Sequence, residues 1–302
     1  MKKHLIVITG ATASGKTSLA IQLANHFQTE ILSADSRQFF KEMNIGTAKP
    51  TLEELKQAKH HFIDTLSIHD EYNVGEYERD AGVLLKELFQ KHDTVIMAGG
   101  SGLYIKAVCE GLDHFPKVDD KFRTELRQLV EEKGIEVLQE ELKELDPVYY
   151  NEVDLQNPQR VIRALEICRG TGKAYSSFRT STDAERPFKT TKIAIKWERE
   201  QLYDRINRRV DLMLEAGLEQ EAKSLFPFKH LNSLQTVGYK EWFDYFDNKT
   251  DREEAIRLIK RNTRRYAKRQ MTWLRRESDI HYFEANDLEG IKKLVVPSNS
   301  FD

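Results

Sequence analysis

Short apolar runs alternate with amphipathic stretches over roughly the first third of the chain. These apolar or partly apolar segments, each followed by polar or glycine-rich residues, occupy residues 4–8, 30–34, 61–66 and 94–98. The amphipathic stretches, which have helical spacing, occupy residues 18–26, 76–90 and 103–110. The first pattern predicts strands and the second predicts helices. Strands that alternate with helices predict a parallel sheet covered by helices on both faces.

The alternation stops near Pro116, where the chain becomes charged, helix-prone and poor in β-branched runs. Amphipathic helices are predicted there at residues 121–133, 135–145 and 159–168. A β-like segment at residues 192–197 then resumes the sheet. The pattern therefore predicts an α/β core built from residues 1–115 and 190–302, with a helical insertion domain at residues 116–189.

The composition is that of an ordinary water-soluble globular protein, with 39% hydrophobic and 32% charged residues. No run approaches the ~20 apolar residues of a membrane span. The N-terminal apolar run is followed directly by a glycine-rich motif, unlike a signal peptide. We therefore expect a cytoplasmic protein that contacts no membrane. Cys109 and Cys168 have apolar neighbours and are predicted to be small core residues.

The sequence Gly-Ala-Thr-Ala-Ser-Gly-Lys-Thr fits the phosphate-loop pattern G-x-x-x-x-G-K-[ST] in full. Its members are Gly10, Ala11, Thr12, Ala13, Ser14, Gly15, Lys16 and Thr17. An apolar strand precedes the motif and a helix follows it, so backbone N–H groups, the helix dipole and Lys16 can hold phosphate oxygens. The Thr17 hydroxyl is placed to hold Mg²⁺. The fold class predicted is α/β, with a core like that of P-loop NTPases and kinases.

Phosphate binding does not fix the reaction, and a GTPase is one alternative. Residues 248–251 match the guanine-reading pattern N-K-x-D, and residues 287–290 match D-x-x-G. These two matches occur in the wrong order for a GTPase, and neither follows a convincing apolar strand. We interpret both as surface turns.

Asp35 follows the second predicted strand, which places it at the carboxyl edge of the sheet beside the phosphate loop. A carboxylate there can act as a general base toward an attacking nucleophile. The alternative is structural, because Asp35 with Gln38 resembles a capping box at the start of a helix. Ser101, in the turn after the fourth strand, could likewise bond an acceptor group near Asp35 or serve only as a turn serine.

Nine basic residues and no acidic residue occur between positions 255 and 276. They are Arg257, Lys260, Arg261, Arg264, Arg265, Lys268, Arg269, Arg275 and Arg276. Steps of three and four put most of them on one face of a predicted helix, which indicates an anionic partner such as RNA. The alternative is a solvated face paired with acidic residues elsewhere. A further cluster, Arg205, Arg208 and Arg209, could extend this surface or clamp phosphate.

Several motifs in this order resemble the bacterial-type tRNA dimethylallyltransferases, also called tRNA isopentenyltransferases. They lie at residues 10–17, 33–38, 44–50, 99–104, 157–166, 234–241 and 260–270. The resemblance covers nearly the whole chain. It implies transfer of a dimethylallyl group from dimethylallyl diphosphate to N6 of the adenosine that follows the anticodon, position 37 of tRNA.

The resemblance also gives the predicted residues their roles. The phosphate loop and a Mg²⁺ ion at Thr17 would hold the diphosphate leaving group, and Asp35 would accept the proton of the N6 amine. Ser101 and Arg123 match family positions that act near the substrate, although the family usually has Thr where this chain has Ser101. The residues implied to contact the anticodon stem-loop are Asp35, Ser36, Arg37, Gln38, Gln159, Arg160, Val161, Ile162 and Arg163. The basic helix, through Arg264, Arg265, Lys268 and Arg269, would add to that surface.

Three other functions remain as alternatives. A small-molecule kinase shares the phosphate loop and the base, but it leaves the basic helix and the insertion unexplained. An adenylate isopentenyltransferase acts on free nucleotide and also has little use for that helix. A non-catalytic RNA-binding module does not account for Asp35 beside the phosphate loop. We expect the protein to be a monomer.

Overall fold

The computed structural model describes residues 3–179, 185–277, 279–285 and 287–295. Its strands are β1 (Lys3–Thr9), β2 (Ile31–Ser33), β3 (His60–His61), β4 (Thr94–Ala98), β5 (Phe188–Lys196) and β6 (Ile280–Glu284). They form one sheet in the order β3-β2-β4-β1-β5-β6, and every pairing between these strands is parallel. The predicted parallel α/β sheet is therefore confirmed.

Most of the remaining described chain is helical. In order they are α1 (Lys16–Phe27), α2 (Leu52–Gln57), α3 (Val74–Lys91), α4 (Gly102–Glu110), α5 (Asp120–Lys133), α6 (Glu136–Leu145), α7 (Pro147–Glu152), α8 (Pro158–Thr171), α9 (Arg199–Glu215), α10 (Leu218–Leu225), α11 (Lys240–Phe246), α12 (Arg252–Leu274) and α13 (Leu288–Val295). Within the described residues, none of them combines the length and apolarity needed to cross a membrane.

Alternate residues of the strands point to opposite faces of the sheet, which explains the continuous apolar runs. Leu5 and Val7 of β1 pack with α3 and α4 on one face. Ile6 and Ile8 of the same strand pack with α1 and α13 on the other face. All four side chains are 0% exposed. Both faces of the sheet are thus buried, as the sequence pattern predicts.

The third predicted strand is much shorter than expected. The prediction placed it at residues 61–66, whereas β3 contains only His60–His61. Phe62 and Asp64 have φ values of 61° and 56°, in the left-handed region that a strand cannot contain. Leu66 returns to pair with Phe40 through a single isolated bridge. The prediction of a long strand here was wrong because two left-handed residues interrupt it.

Helices α9 to α12 share a separate apolar cluster with the segment that follows β2. Its largest members are Trp242 and Tyr239, which are both 0% exposed. Phe40 and Met43, from the segment after β2, pack into the same cluster. This packing holds the loop around residue 46 against the C-terminal helices.

Two compact units divide the chain: Met1–Glu110 with Glu185–Asp302, and Gly111–Ala184. The sequence-based boundaries lie a few residues further along, at 115/116 and 189/190. In the second unit, α5, α6 and α8 bury Leu126, Leu138 and Leu165 completely. Asn157 caps α8 by accepting a hydrogen bond from the N–H of Arg160. The three helices predicted in this region are present.

Other local predictions had mixed outcomes. Cys109 and Cys168 are both buried, as expected. Residues 248–250 form the predicted surface turn, and Asp251 caps α12. Residues 288–290, however, form the first turn of α13, and the N–H of Gly290 donates to Asp287. That segment is therefore a helix start rather than the surface turn we predicted.

Candidate active site

The glycine-rich loop, residues 10–17, connects β1 to α1 through unusual backbone angles. Gly10, Ala13 and Gly15 have φ values of 145°, 63° and 97°. These angles let the loop curl, and Gly15 is the N-cap of α1. The first N–H groups of a helix have no intrahelical partners and favour anions. The loop therefore has the local geometry that the phosphate-loop motif predicts.

Ser14 supplies a further sign of a ligand site in this loop. Its side chain is 1% exposed, and Oγ has no hydrogen-bond partner among the described residues. A buried hydroxyl is normally hydrogen-bonded. A Cβ atom at Gly10 would lie only 3.0 Å from this oxygen. The glycine-rich loop thus contains a buried hydroxyl without a hydrogen-bond partner, and it has no room for a side chain at position 10.

Lys16 lies in the wall of a cavity together with Thr17 and Asp35. Its Nζ atom donates to the carbonyl oxygen of Ala11 at 2.7 Å. Burial and, to a lesser extent, the charge of Arg209 lower the pKa of Lys16, the charge of Asp35 opposes both effects, and the resulting pKa is about 8. An anion bound here would favour the charged lysine and restore its pKa.

Two arginines of α9 contact the glycine-rich loop. Arg205 donates to the carbonyl oxygen of Ala13 at 2.9 Å, and its guanidinium lies 4.3 Å from the ring of Trp197. Arg209 donates to Oγ1 of Thr12 at 3.3 Å. Both residues therefore hold the loop. Arg208, the third member of this cluster, is exposed and does not line the cavity beside Lys16.

Asp35 begins a tight turn rather than a helix. Its Oδ1 atom accepts a hydrogen bond from the N–H of Arg37 at 3.0 Å, and its other carboxylate oxygen has no such bond among the described residues. The side chain of Gln38 instead donates to the carbonyl oxygens of Thr47 and Ala48. The capping-box interpretation of Asp35 and Gln38 was therefore wrong. One carboxylate oxygen of Asp35 remains available in the cavity wall.

Ser101 connects the turns that follow β2 and β4. Its Oγ atom accepts a hydrogen bond from the N–H of Ser36 at 3.0 Å and donates to the hydroxyl of Ser36 at 3.3 Å. Gly99, in the turn after β4, lies very close to the backbone that follows β2. A Cβ atom at Gly99 would be 2.1 Å from the carbonyl oxygen of Ala34. The turn at residues 99–102 is therefore packed directly against the segment that contains Asp35.

Two cavities lie side by side at the carboxyl edge of the sheet. The first has a polar wall that includes Thr12, Lys16, Thr17, Asp35, Arg37 and Arg209. Its apolar wall includes Ile206, Val210, Met213, Leu218, Val237 and Ile259. The second cavity is lined by residues that include Ser36, Ser101, Leu103, Tyr104, Arg269 and Trp273. Gly100, Tyr266 and Gln270 line both cavities and form their common boundary.

Some cavity residues were not assigned a role from the sequence. Gly46, Thr47 and Ala48 lie in one motif and residues 236–238 in another, and both segments line the first cavity. Gly46 packs against the ring of Tyr239, where a Cβ atom would approach within 2.6 Å. Both motifs contribute to the family resemblance, but nothing in their local pattern shows that they meet at one cavity.

The basic residues of α12, with the two arginines that follow it, divide into paired and unpaired charges. Arg257 pairs with Glu254 and Lys260 pairs with Asp211. Arg261 and Arg264 donate to the side-chain oxygens of Asn262 and Asn207, respectively. Five others are exposed and have no ion-pair partner among the described residues: Arg265, Lys268, Arg269, Arg275 and Arg276. The alternative that acidic residues neutralise the basic face therefore holds only for the N-terminal part of α12.

In the second unit, Arg123 and Arg163 converge on a buried carboxylate. Arg123 makes two hydrogen bonds to Glu166, at 2.6 and 2.8 Å, and Arg163 bonds the same group. Val161 and Ile162 are buried in the core of this unit. Their side chains are therefore unavailable for direct RNA contact, and the prediction for these two residues is corrected. Gln159 and Arg160 are exposed at the start of α8.

Residues that could hold a divalent cation are few. Within the described part of the chain, no group of three or more His, Cys, Asp or Glu residues is placed to bind a metal ion. Thr17 and Asp35 offer oxygen atoms in the wall of the first cavity. Mg²⁺ binds to proteins through one or two oxygen ligands together with phosphate and water. These residues fit an ion held mainly by a bound diphosphate.

The sheet, the glycine-rich loop and the cationic cavity beside it define an enzyme with a P-loop-like α/β fold. The crystal structure of the full-length tRNA isopentenylpyrophosphate transferase of Bacillus halodurans is similar to this chain, with a TM-score of 0.73 and 36% identity over 98% of this chain and 96% of that one. A eukaryotic dimethylallyltransferase, solved while acting on tRNA, gives a TM-score of 0.78 at 29% identity over 96% of this chain and 76% of that one.

Sequence comparison agrees with the structural comparison. The IPP transferase family model matches residues 38–277. The tRNA dimethylallyltransferase of Christiangramia forsetii is 58% identical over 95% of both chains. That of Cytophaga hutchinsonii is 50% identical over 98% of this chain and 97% of its own length. This chain belongs to the IPP transferase family.

Proposed function

We propose that this chain is a tRNA dimethylallyltransferase that modifies N6 of adenosine 37, next to the anticodon, using dimethylallyl diphosphate. The observation that carries the proposal is the pair of adjoining cavities at Gly100, Tyr266 and Gln270. A transfer between two substrates needs two binding sites that meet where the bond forms. The names of the relatives indicate which two substrates these are.

The first cavity suits the prenyl donor. Lys16 and Arg209 place positive charge beside the glycine-rich loop, where the diphosphate would bind. The apolar wall, which includes Val210 and Met213, suits the dimethylallyl group. Charge fixed beside a leaving group stabilises it as its bond breaks. Mg²⁺ held by Thr17 and the diphosphate oxygens would supply additional positive charge to the leaving group.

Asp35 suits the role of general base. The lone pair of the N6 amine is delocalised into the adenine ring, so the amine is a weak nucleophile without a positioned base. In the proposed step, N6 forms a bond to C1 of the dimethylallyl group, and the C1–O bond breaks to release diphosphate. The proton from N6 passes to the carboxylate oxygen of Asp35 that is not bonded to Arg37.

The second cavity suits the acceptor base. Tyr104, Tyr266 and Trp273 contribute aromatic rings to its wall, and Arg269 contributes a cation. A base taken out of its stack is commonly held between aromatic and apolar side chains. Exposed Arg265 and Lys268 on the same helix as Trp273 would hold the phosphates of the stem-loop. Gln159, Arg160 and Arg163 would provide further RNA contacts from the helical unit, and Arg123 would act near the substrate, as the family resemblance implies.

The test is prenyl transfer from labelled dimethylallyl diphosphate, with Mg²⁺, to unmodified tRNA that has adenosine 37. Asp35→Asn should lower kcat by about 10²–10⁴-fold, the contribution expected of a general base. Asp93→Asn is the matched control, since Asp93 precedes β4 at the opposite edge of the sheet, where it pairs with Lys3. Free AMP, and ATP as a phosphate donor, test the nucleotide prenyltransferase and kinase alternatives. Label in AMP but not in tRNA, or phosphate transfer from ATP, would overturn the proposal.

A further inference from the structure

Gln270 occupies the boundary between the two cavities. Gln270 lines both cavities together with Gly100 and Tyr266, and it is only 9% exposed. It extends from α12, the helix that also has the exposed basic face. No sequence motif gives this glutamine a chemical role, because its amide neither titrates nor acts as a nucleophile.

Both ends of the Gln270 amide are used in specific hydrogen bonds. Its Oε1 atom accepts from the N–H of Thr12 at 2.8 Å, and its Nε2 atom donates to the carbonyl oxygen of Gly100 at 2.9 Å. One bond reaches the glycine-rich loop and the other reaches the turn after β4. A side chain that joins these two segments needs one donor and one acceptor at a fixed separation, which an amide provides.

The surroundings leave the amide little freedom to move. A Cβ atom at Gly100 would lie 2.3 Å from Nε2 of Gln270, so only glycine fits beneath it. Thr12 is held from its other side by Arg209, which donates to Oγ1. The backbone of Thr12 is therefore fixed between α9 and α12. A group held this firmly at a boundary can set the relative position of whatever binds on its two sides.

We infer that Gln270 is a positioning residue that aligns the donor and acceptor at the junction of the two cavities. This inference rests on the proposed function. Gln270 fixes the glycine-rich loop against the 99–102 turn, and thereby sets the distance between the diphosphate site and the acceptor cavity. It exchanges no proton and touches neither reacting atom. Its loss should therefore affect turnover more than the binding of either substrate.

The experiment compares Gln270→Met and Gln270→Glu with the wild type. Methionine keeps the size but removes both hydrogen bonds, whereas glutamate can still accept from Thr12 but cannot donate to Gly100. Displacement of reacting groups by about 1 Å can cost about 10²-fold in rate, so we expect kcat to fall by roughly 10–100-fold. In the neutral variant Gln270→Met, the KM for each substrate and the binding of inorganic diphosphate should change by less than about threefold, since the binding groups themselves remain.

Gln90→Met is the matched control, because Gln90 is exposed on α3, and it should behave as the wild type. A second variant, Gly100→Ala, displaces the amide without removing it and should lower kcat in the same way. The double variant Gly100→Ala/Gln270→Met should then be no slower than the worse single variant, since both disturb one contact.

Two outcomes would overturn the inference: an unchanged kcat in Gln270→Met, or a loss of thermal stability and of substrate binding in proportion to kcat. The second outcome would make Gln270 merely structural. A wild-type enzyme that fails to prenylate tRNA would instead refute the proposed function itself. The two failures are therefore distinguishable in one set of assays.

Discussion

Tyr239 and Glu221 meet inside the molecule, where the tyrosine hydroxyl donates to a carboxylate oxygen of Glu221 at 2.6 Å. The same carboxylate accepts the N–H groups of Asn44, Ile45 and Gly46 at 2.8–3.0 Å. Burial raises the pKa of Tyr239, and the negative charge of Glu221 raises it further. One acidic side chain thus fixes the loop that forms a wall of the first cavity.

Tyr239→Phe should destabilise the protein by about 1.5–3 kcal/mol, because it removes a hydrogen bond to a charged acceptor. Glu221→Gln should cost at least as much, since three backbone N–H groups then share a single neutral acceptor oxygen. Denaturant unfolding monitored by circular dichroism measures both. Tyr245→Phe is the control, because Tyr245 packs against Trp242 with its hydroxyl bonded to no group among the described residues. Equal losses in Tyr239→Phe and Tyr245→Phe would contradict this account.

The affinity for inorganic diphosphate should depend on the protonation of Lys16. The pKa of Lys16 is about 8 in the free protein, and a bound anion raises it. Affinity should therefore fall as pH rises above about 8, by up to about tenfold per pH unit, because binding must then take up a proton. Below pH 8 the lysine is charged in both states and contributes no pH dependence.

Lys16→Arg separates this effect from the titration of diphosphate itself, because arginine keeps its charge. The ratio of wild-type to variant affinity, measured by calorimetry from pH 7 to 10, should decline above pH 8. The lowered pKa has the opposite effect on folding. Between pH 8 and about 10.5, Lys16 binds more protons in the unfolded chain than in the folded one. Its contribution to the free energy of unfolding of the ligand-free protein therefore rises with pH. A flat affinity ratio would show that Lys16 does not hold diphosphate.

Binding of tRNA should become less sensitive to salt when exposed charges of α12 are removed. Arg265→Gln/Lys268→Gln should lower the slope of log affinity against log salt by about 0.7–0.9 for each phosphate that the protein no longer neutralises. Arg257→Gln is the matched control on the same helix, since its charge is already paired with Glu254. Filter binding at a series of salt concentrations gives the slopes. An equal change in the control would show a general charge effect instead of specific binding of phosphates.

Glu166→Gln should destabilise the helical unit. Burial alone would raise the pKa of Glu166, but hydrogen bonds from Arg123 and Arg163 outweigh it, and the net shift is downward. The carboxylate therefore contributes stability that is lost as pH falls through its folded pKa. We expect a loss of about 1.5–3 kcal/mol in Glu166→Gln at neutral pH, the range for hydrogen bonds to charged groups. Both arginines are 43% exposed and can be solvated, which limits the loss.

Glu141→Gln provides the comparison for Glu166. Glu141 also makes two hydrogen bonds to an arginine, Arg169, but both side chains are about a quarter exposed. Its loss should be smaller, since exposed ion pairs contribute about 0–1 kcal/mol. Urea unfolding of the three proteins tests the order, and a larger loss in Glu141→Gln would contradict it.

Local pattern predicted most of the sheet and helices α1, α3 and α4 beside it, because these elements are defined by the alternation of apolar and polar residues. It failed where single backbone angles matter. The left-handed residues Phe62 and Asp64 end β3 early, although the segment around them includes Phe62, Ile63 and Leu66, which are typical of a strand. It also failed at Asp35, because the amide of Gln38 bonds residues of a later loop instead of capping a helix.

The sequence by itself determined the glycine-rich loop, the carboxylate after β2, the basic face of α12 and the resemblance that carries the proposed chemistry. These features depend on residues near each other in the chain. Only the tertiary structure brought Gln270 to Thr12, 258 positions away, and Arg209 to the same residue. Only folding likewise joined the loops at residues 46 and 238 into one cavity wall. Such contacts arise when distant elements pack together, and no local periodicity encodes them.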